Sequence, residues 1–191
     1  SEQLKSFDVS NEPQSLQDEF GDTPFGRSCL AATRLIEHGV RCIEITLGNW
    51  DSHANNHEFQ AGKVKILDPA FAAMLRELKR RDRLDSTIVI CGGEFGRTPT
   101  INPLEGRDHW PSGFSIALAG GGIAGGQAIG ETSPDGEKLD YDDECNTRVQ
   151  DIHATVLHAL GIRPELEMAT PIGRPMKLSD GRIQKRLLKN A

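Results

Sequence analysis

The spacing of apolar residues along the chain predicts three helices. Residues 62–83 and 148–160 carry apolar side chains three and four positions apart, as in amphipathic helices. The segment FGRSCLAATRLIEHG, residues 25–39, has a similar spacing and ends in Gly39, while Gly161 follows the helix over 148–160. Because glycine commonly ends helices, both glycines are predicted helix stops.

Three apolar runs predict strands. Residues 40–47 are rich in β-branched side chains, and residues 87–91 (TIVIC) form a short continuous run typical of a strand covered on both faces. The third run, residues 114–126 (FSIALAGGGIAGG), breaks into glycines. A hairpin or loop is predicted around SPDGEK, within residues 127–141. Because the helices alternate with the strands, we expect βαβ units and a largely parallel sheet, whose ligands gather at the carboxyl ends of the strands.

The length of 191 residues and a hydrophobic fraction of 37% are in the range of a single domain. We predict a polar N-terminal arm over residues 1–20, an α/β metal-binding domain over residues 21–163 and a C-terminal surface extension over residues 164–191.

Charge and hydropathy exclude two classes of partner. The net charge is -6 and the basic residues are scattered among acidic ones, so there is no basic stripe for a nucleic acid. No apolar run approaches the roughly 20 residues that cross a bilayer, so no membrane span is expected. The first residues, SEQLKSFDVS, also lack the features of a signal peptide.

Chemistry-bearing residues follow the first two predicted strands. Asp51 and His53 come directly after residues 40–47, and a carboxylate with an imidazole is a usual ligand pair for zinc, manganese or iron. The alternative is an aspartate that caps a turn beside a solvated histidine. His57, four residues after His53, could be a third ligand, but we favour a role in which it supports the ligands without binding the metal. A simple surface histidine is the alternative.

Glu94 follows the run TIVIC and two glycines, which would place its carboxylate on a tight turn at the same sheet edge. Arg97, three residues on, could offer a bidentate fork to an oxyanion. The alternative is an ion pair between Glu94 and Arg97 within the loop.

Asp108 and His109 lie in a loop without hydrophobic periodicity, where a core role for the histidine is unconvincing. One of the two could bind a metal while the other supports it through a hydrogen bond. We predict His109 as the ligand and Asp108 as its supporting residue or as a ligand of a second site; a purely structural Asp-His-Trp loop is the alternative.

Three segments together resemble a known family, and the resemblance runs from about FGRSCL through nearly the whole chain. The segments are GNWDSHANNH, GGEFGRTPTINPLEGRDHWPSGFSIALAGGGIAGGQAIG and DIHATVLHALGI. They resemble the uncharacterised DUF1501 family, relatives of the sulfatase and alkaline phosphatase superfamily. The resemblance implies an α/β fold, a three-layer α/β/α sandwich with a largely parallel central sheet, of which this chain looks like an incomplete, C-terminal half.

The resemblance also implies chemistry. It places Asp51, His53 and His109 on one divalent metal ion and Glu94 toward a second, with zinc, manganese and calcium as candidate metals and a small anionic ester as substrate. It further implies a location outside the cytoplasm. An incomplete fold implies an exposed sheet edge or apolar patch, and hence self-association or association with the N-terminal half.

Two functions are consistent with these residues. The first is a metal-dependent hydrolase of sulfate or phosphate esters, in which Arg97 helps to hold the anion. The second is a non-catalytic metal-binding or structural module of the same fold. The second gains support because the nucleophile of such hydrolases is not evident in this chain, and no cysteine begins the sulfatase signature C-x-P-x-R.

Overall fold

The computed structural model describes residues 2–93, 95–139 and 146–189. The α-helices are α1 (Glu2–Lys5), α2 (Gln14–Phe20), α3 (Pro24–Glu37), α4 (Asn56–Arg80) and α5 (Val149–Ala159). The strands are β1 (Ile88–Gly92), β2 (Gly96–Arg97), β3 (His109–Trp110), β4 (Ile116–Gly120), β5 (Glu167–Ala169) and β6 (Pro175–Lys177), and short 3-10 helices cover Leu84–Ser86 and Lys185–Leu187.

The chain forms two compact units. Unit 1 comprises Ser1–Leu84 with Thr100–Asp108, and unit 2 comprises Asp85–Pro99 with His109–Ala191. The arm, domain and extension that we predict from the sequence have other boundaries and stay a prediction. No helix in the described ranges is both long and apolar enough to cross a bilayer.

Unit 1 has a helical core formed by α2, α3 and α4. Phe20, Leu30 and Leu78, one from each helix, are almost completely buried. The hydroxyl of Thr23 accepts a hydrogen bond from the Gly26 amide at 3.0 Å and thereby caps the start of α3. Burial of large apolar side chains of this kind contributes about 1.5–3 kcal/mol each, which makes the three helices the stable part of the unit.

The helices agree with the apolar spacing. The predicted helix at residues 25–39 is α3, which ends before Gly39, and the one at 148–160 is α5, which ends before Gly161. The predicted helix at residues 62–83 overlaps α4, which begins six residues earlier, at Asn56, and ends three residues earlier, at Arg80. The structure thus confirms the three predicted helices. Their positions could be predicted because amphipathic spacing marks the face that a helix buries.

The predicted three-layer α/β/α sandwich with a parallel central sheet is wrong. In the described residues the sheets are two-stranded and antiparallel: β1 with β4, β2 with β3, and β5 with β6. A parallel neighbour requires a crossover connection, usually a helix. Between β1 and β4 the described chain contains the short strands β2 and β3 and no helix, so the two longer strands pair antiparallel.

The predicted strand at residues 40–47 is also wrong, since these residues have no regular secondary structure. A β-branched composition favours an extended backbone, but a strand exists only when a neighbour completes its hydrogen bonds. The run TIVIC does form β1, yet Val89 is buried whereas Ile90 is 50% exposed. The strand is therefore covered on one face instead of two.

The other predicted strand and the hairpin are found. Residues 116–120 of the run FSIALAGGGIAGG form β4, and the segment around SPDGEK turns back on itself through a bridge between Thr132 and Leu139. The hairpin's predicted last residues, 140 and 141, lie outside the described residues.

Gly26 is the tightest point of the helical core in unit 1. A Cβ atom there would lie 2.2 Å from the carbonyl oxygen of Phe20 and 2.6 Å from that of Gly21. We therefore expect Gly26→Ala to lower the free energy of unfolding by about 1–3 kcal/mol, as overpacking does elsewhere. Urea unfolding followed by circular dichroism measures the change.

Gly62→Ala is the matched control. Gly62 lies inside α4 with no atom within 4 Å of an added Cβ. Because alanine is the better helix former, this substitution should raise the free energy of unfolding by up to about 1 kcal/mol. Equal effects of the two substitutions would contradict the close approach of α2 and α3.

Candidate metal site

Two loops of unit 1 are joined along their backbones. The first loop is residues 48–55, before α4, and the second loop is residues 100–108. The amide of Asn55 donates to the carbonyl of Leu104 at 3.0 Å, and the amide of Arg107 donates to the carbonyl of Ser52 at 3.3 Å. An isolated antiparallel bridge joins Ala54 to Glu105. These bonds place the predicted ligands of the first loop next to Asp108.

Glycine at position 106 permits this approach. A Cβ atom on Gly106 would lie 1.9 Å from the carbonyl oxygen of His53 and 2.5 Å from the amide nitrogen of Ala54. Distances this short exclude any side chain unless the backbone moves. The second loop can therefore contact the backbone of His53 only because residue 106 has no side chain.

Asn102 connects the two loops through its side-chain amide. Its Oδ1 accepts hydrogen bonds from the amides of Leu104 at 3.0 Å and Gly106 at 2.9 Å, which folds the second loop into a turn. Its Nδ2 donates to the carbonyl of His53 at 3.1 Å and to Oδ1 of Asp108 at 3.2 Å. Sequence reasoning missed Asn102, although the run INPLEG is a turn signal that indicates an asparagine bonded to its own backbone.

The first loop is fixed to the start of α4 by buried polar contacts. Ser52 is 3% exposed, and its hydroxyl donates to Oδ1 of Asn56 at 2.8 Å. The side-chain amide of Gln60 donates to the Ser52 hydroxyl at 2.8 Å and to the carbonyl of Trp50 at 3.0 Å. Because Ser52 faces inward, its neighbours Asp51 and His53 project toward solvent.

His53 lies between two carboxylates. Its Nε2 is 3.1 Å from Oδ1 of Asp51, and its Nδ1 is 3.1 Å from Oδ1 of Asp108. A neutral imidazole carries one N–H, so it can donate to only one of the two carboxylates. When Nδ1 carries the proton and donates a hydrogen bond to Asp108, the lone pair of Nε2 points toward the Asp51 carboxylate and the two repel each other. A cation between Nε2 and Asp51 would be bound by both.

His109 completes a group of three ligands. It follows Asp108 directly in the chain, and one ligand atom each from Asp51, His53 and His109 lie within 4.8 Å of one another. All three side chains are exposed. A tetrahedral zinc site with bonds of about 2.0–2.1 Å separates its ligand atoms by about 3.3 Å, so small side-chain rotations would close the group around an ion.

The donor chemistry fits a transition metal better than a hard cation. Two imidazole nitrogens and one carboxylate oxygen suit zinc, manganese or iron, whereas calcium takes six to eight oxygen ligands. Asp51, His53 and His109 form the one such group among the His, Cys, Asp and Glu side chains that the structure describes.

Two other residues that the sequence predicts for the site, Arg97 and His57, are not members of the three-ligand group. Arg97 lies on β2 directly opposite His109 on β3, and the ring of Phe95 contacts that of His109 edge-on, with centroids 4.6 Å apart. His57 is an exposed residue in the first turn of α4, outside the three-ligand group. Glu94 lies outside the described residues, so its predicted role stays a prediction.

The position of Asp108 refines its predicted role. We expect from the sequence that it supports His109, and the structure shows its carboxylate bonded to the ring of His53, from the other loop. A carboxylate behind a ligating imidazole fixes the ring orientation and the tautomer. Sequence spacing could not identify this partner because 55 residues separate the two.

Comparison with known proteins identifies one family. A family model described as a protein of unknown function, DUF1501, matches residues 1–189. No curated protein and no solved structure matches the chain. The predicted family is thus confirmed, and the predicted relation to sulfatases and alkaline phosphatases stays a prediction.

The close approach at Gly106 gives a test of the joined loops. We expect Gly106→Ala to separate the second loop from His53 and to lower the free energy of unfolding by about 1–3 kcal/mol, because the added methyl group meets backbone atoms that cannot turn away. Urea unfolding measures the loss.

Gly48→Ala is its control. This glycine lies in the first loop, and an added Cβ would meet nothing within 4 Å. The substitution should change the free energy of unfolding by less than about 0.5 kcal/mol, as exposed substitutions usually do. A Gly106→Ala protein as stable as the Gly48→Ala protein would show that the loops do not depend on this contact.

Proposed function

Because the chain belongs to the DUF1501 family, whose function is unknown, we propose a function from its own residues: it binds a divalent transition metal and hydrolyses sulfate or phosphate esters with it. The observation that carries the proposal is the group formed by Asp51, His53 and His109. Three protein ligands leave coordination positions open, which is the arrangement of catalytic zinc sites. Closed structural sites use four protein ligands instead.

A bound metal would supply a Lewis acid that polarises an ester oxygen and lowers the pKa of a coordinated water or hydroxyl. Asp51, His53 and His109 would hold it. Asp108 would keep the proton on Nδ1 of His53 and so present Nε2 as the ligand atom. Exposure of all three ligand side chains would give a substrate direct access.

The position of Arg97 favours an anionic substrate. Residues directly opposite on antiparallel strands have Cβ atoms about 4.5–5.5 Å apart, so the Arg97 side chain starts beside that of His109. A guanidinium group recognises the paired oxygens of a sulfate or phosphate with two parallel hydrogen bonds. The proposed role of Arg97 is to bind and orient the ester group.

A non-catalytic metal-binding module is the second candidate. The observation that favours it is the exposure of the site: the side chain of Asp51 is 62% exposed and that of His53 is 47% exposed. Hydrolytic centres usually exclude bulk water, which strengthens their electrostatic interactions. Under this alternative the protein would hold the metal without turnover.

Metal binding is the first prediction of the proposal. Wild-type protein should bind one zinc ion per chain, as measured by isothermal titration calorimetry and elemental analysis. Asp108→Asn should weaken binding by roughly 10- to 100-fold, the usual effect of removing a carboxylate behind a ligating histidine. His53→Ala should weaken it further, because a ligand is lost.

His153→Ala is the matched control for His53→Ala. His153 is exposed on α5 and is not part of the three-ligand group. Its removal should leave the zinc affinity unchanged. Wild-type protein that binds no zinc, or equal losses in His53→Ala and His153→Ala, would refute the proposed metal site.

Ester hydrolysis is the second prediction. With zinc or manganese bound, the full chain should hydrolyse an aryl sulfate or an aryl phosphate such as p-nitrophenyl phosphate, and a chelator should remove the activity. Arg97→Lys keeps the charge but loses the planar fork, so kcat/KM should fall on the order of 100-fold with metal affinity retained. Metal-loaded protein without turnover on either ester would favour the non-catalytic module.

A further inference from the structure

The β5–β6 hairpin of unit 2 has two edges with different hydrogen-bonding capacity. The amide of Thr170 donates to the carbonyl of Arg174 at 2.9 Å, and that of Leu178 donates to the carbonyl of Leu166 at 3.0 Å. Hydrogen-bonded pairs alternate with non-bonded pairs in antiparallel strands. The backbone groups of the intervening pairs, which are Glu167 with Lys177 and Ala169 with Pro175, therefore point away from the hairpin.

Proline closes one of these edges. On β6 the outward position 175 is a proline, which has no N–H to donate, and the next outward residue is a lysine. Proline and lysine are common devices against strand pairing at sheet edges. On β5 the outward residues Glu167 and Ala169 both keep a donor and an acceptor. Within the described part of the chain, no strand pairs with that edge.

One face of the hairpin is apolar and exposed. Met168 and Met176 are directly opposite each other and are 59% and 64% exposed, and Leu166, on the same face, is 44% exposed. All three residues of each strand are exposed. A two-stranded hairpin is marginally stable in water without further strands or a covering surface. The open edge and the apolar face together indicate an association surface.

We propose that β5 pairs antiparallel with β5 of a second copy of this chain, which gives a symmetric dimer with a four-stranded sheet in the order β6-β5-β5-β6. In the proposed register Glu167 lies opposite Ala169 of the second copy, and Met168 lies on the twofold axis. Both outward residues of each strand then exchange backbone hydrogen bonds. The geometry is self-complementary, as a twofold interface requires.

Charge and proline select this register from its neighbours. If one strand slides by two residues, Glu167 lies opposite Glu167 of the second copy, and like charges directly opposite each other are destabilising. A shift in the other direction would place Glu167 opposite Pro171, which cannot donate a hydrogen bond. The proposed register avoids both.

The dimer would also continue the apolar face. Met168 and Met176 of the two copies would form a row of four methionines across the sheet. Unbranched methionine side chains adapt well to such contacts. The outer strands of the new sheet would both be β6, with Pro175 at each edge, so that further strand addition is opposed and assembly stops at two copies.

The test is the molar mass of the full chain in solution, measured by sedimentation equilibrium over a range of concentrations. We expect a monomer–dimer equilibrium. Ala169→Pro removes the outward N–H of β5 and should raise the dissociation constant roughly 10- to 100-fold, since two backbone hydrogen bonds are lost per dimer. Lys177→Pro makes the same change on the β6 edge and should leave the constant within about 3-fold.

A second pair of variants tests the dimer without proline, in case Ala169→Pro misfolds the hairpin. Met168→Lys places two like charges on the twofold axis and should abolish the dimer, whereas Met176→Lys, on the outer strand with a similar exposure, should weaken it less. A chain that is monomeric at every concentration would overturn the proposal. So would a dimer that Met168→Lys and Met176→Lys weaken equally.

Hydrogen exchange distinguishes pairing of β5 with a second copy from covering of β5 by another segment of the same chain. In the dimer, the amides of Glu167 and Ala169 should lose protection on dilution to the monomer. If these amides are protected in a chain that stays monomeric, another segment covers β5 and the proposal is wrong.

Discussion

The candidate metal site depends on one close backbone contact, that between Gly106 and His53. A second loop with a side chain at position 106 would meet the carbonyl oxygen of His53 at 1.9 Å, so the loops could not join in their present arrangement. Asn102 adds hydrogen bonds to the same carbonyl and to Asp108. The position of the ligands is therefore determined mainly by backbone contacts, and the ligands themselves are exposed.

This arrangement has a consequence for metal binding. Asp51 and His53 flank a buried serine that is bonded to α4, while Asp108 contacts the His53 ring from the second loop. An ion bound to the group would add ligand bonds to contacts that already exist in the protein alone. Metal binding should thus stabilise a preformed pair of loops, in contrast to small domains that fold only with their metal.

The metal-ligand group and the β5 edge would recognise their partners through different interactions. The metal group collects charged and polar side chains on exposed loops, where specificity comes from donor type and spacing. The β5 edge instead offers backbone donors and acceptors beside exposed methionines, where specificity comes from register and from the proline on the other edge.

The sequence alone determined three of the helices and the family, and it indicated the candidate ligands. Apolar spacing located α3, α4 and α5 because burial of one helix face is a local property of the chain. Asp51 and His53 were indicated by their place after a predicted strand, residues 40–47, that does not form, and His109 by a segment without hydrophobic periodicity.

Only the tertiary structure decided which strands exist, how they pair and what supports the ligands. Residues 40–47 have a strand composition without being a strand, and β1 pairs antiparallel with β4, because hydrogen-bonded partners come from distant parts of the chain. The hydrogen bond between His53 and Asp108 and the one from the Asn102 side chain to the carbonyl of His53 likewise join residues that are far apart in sequence. Such pairings depend on close backbone approaches like that at Gly106, which local composition does not encode.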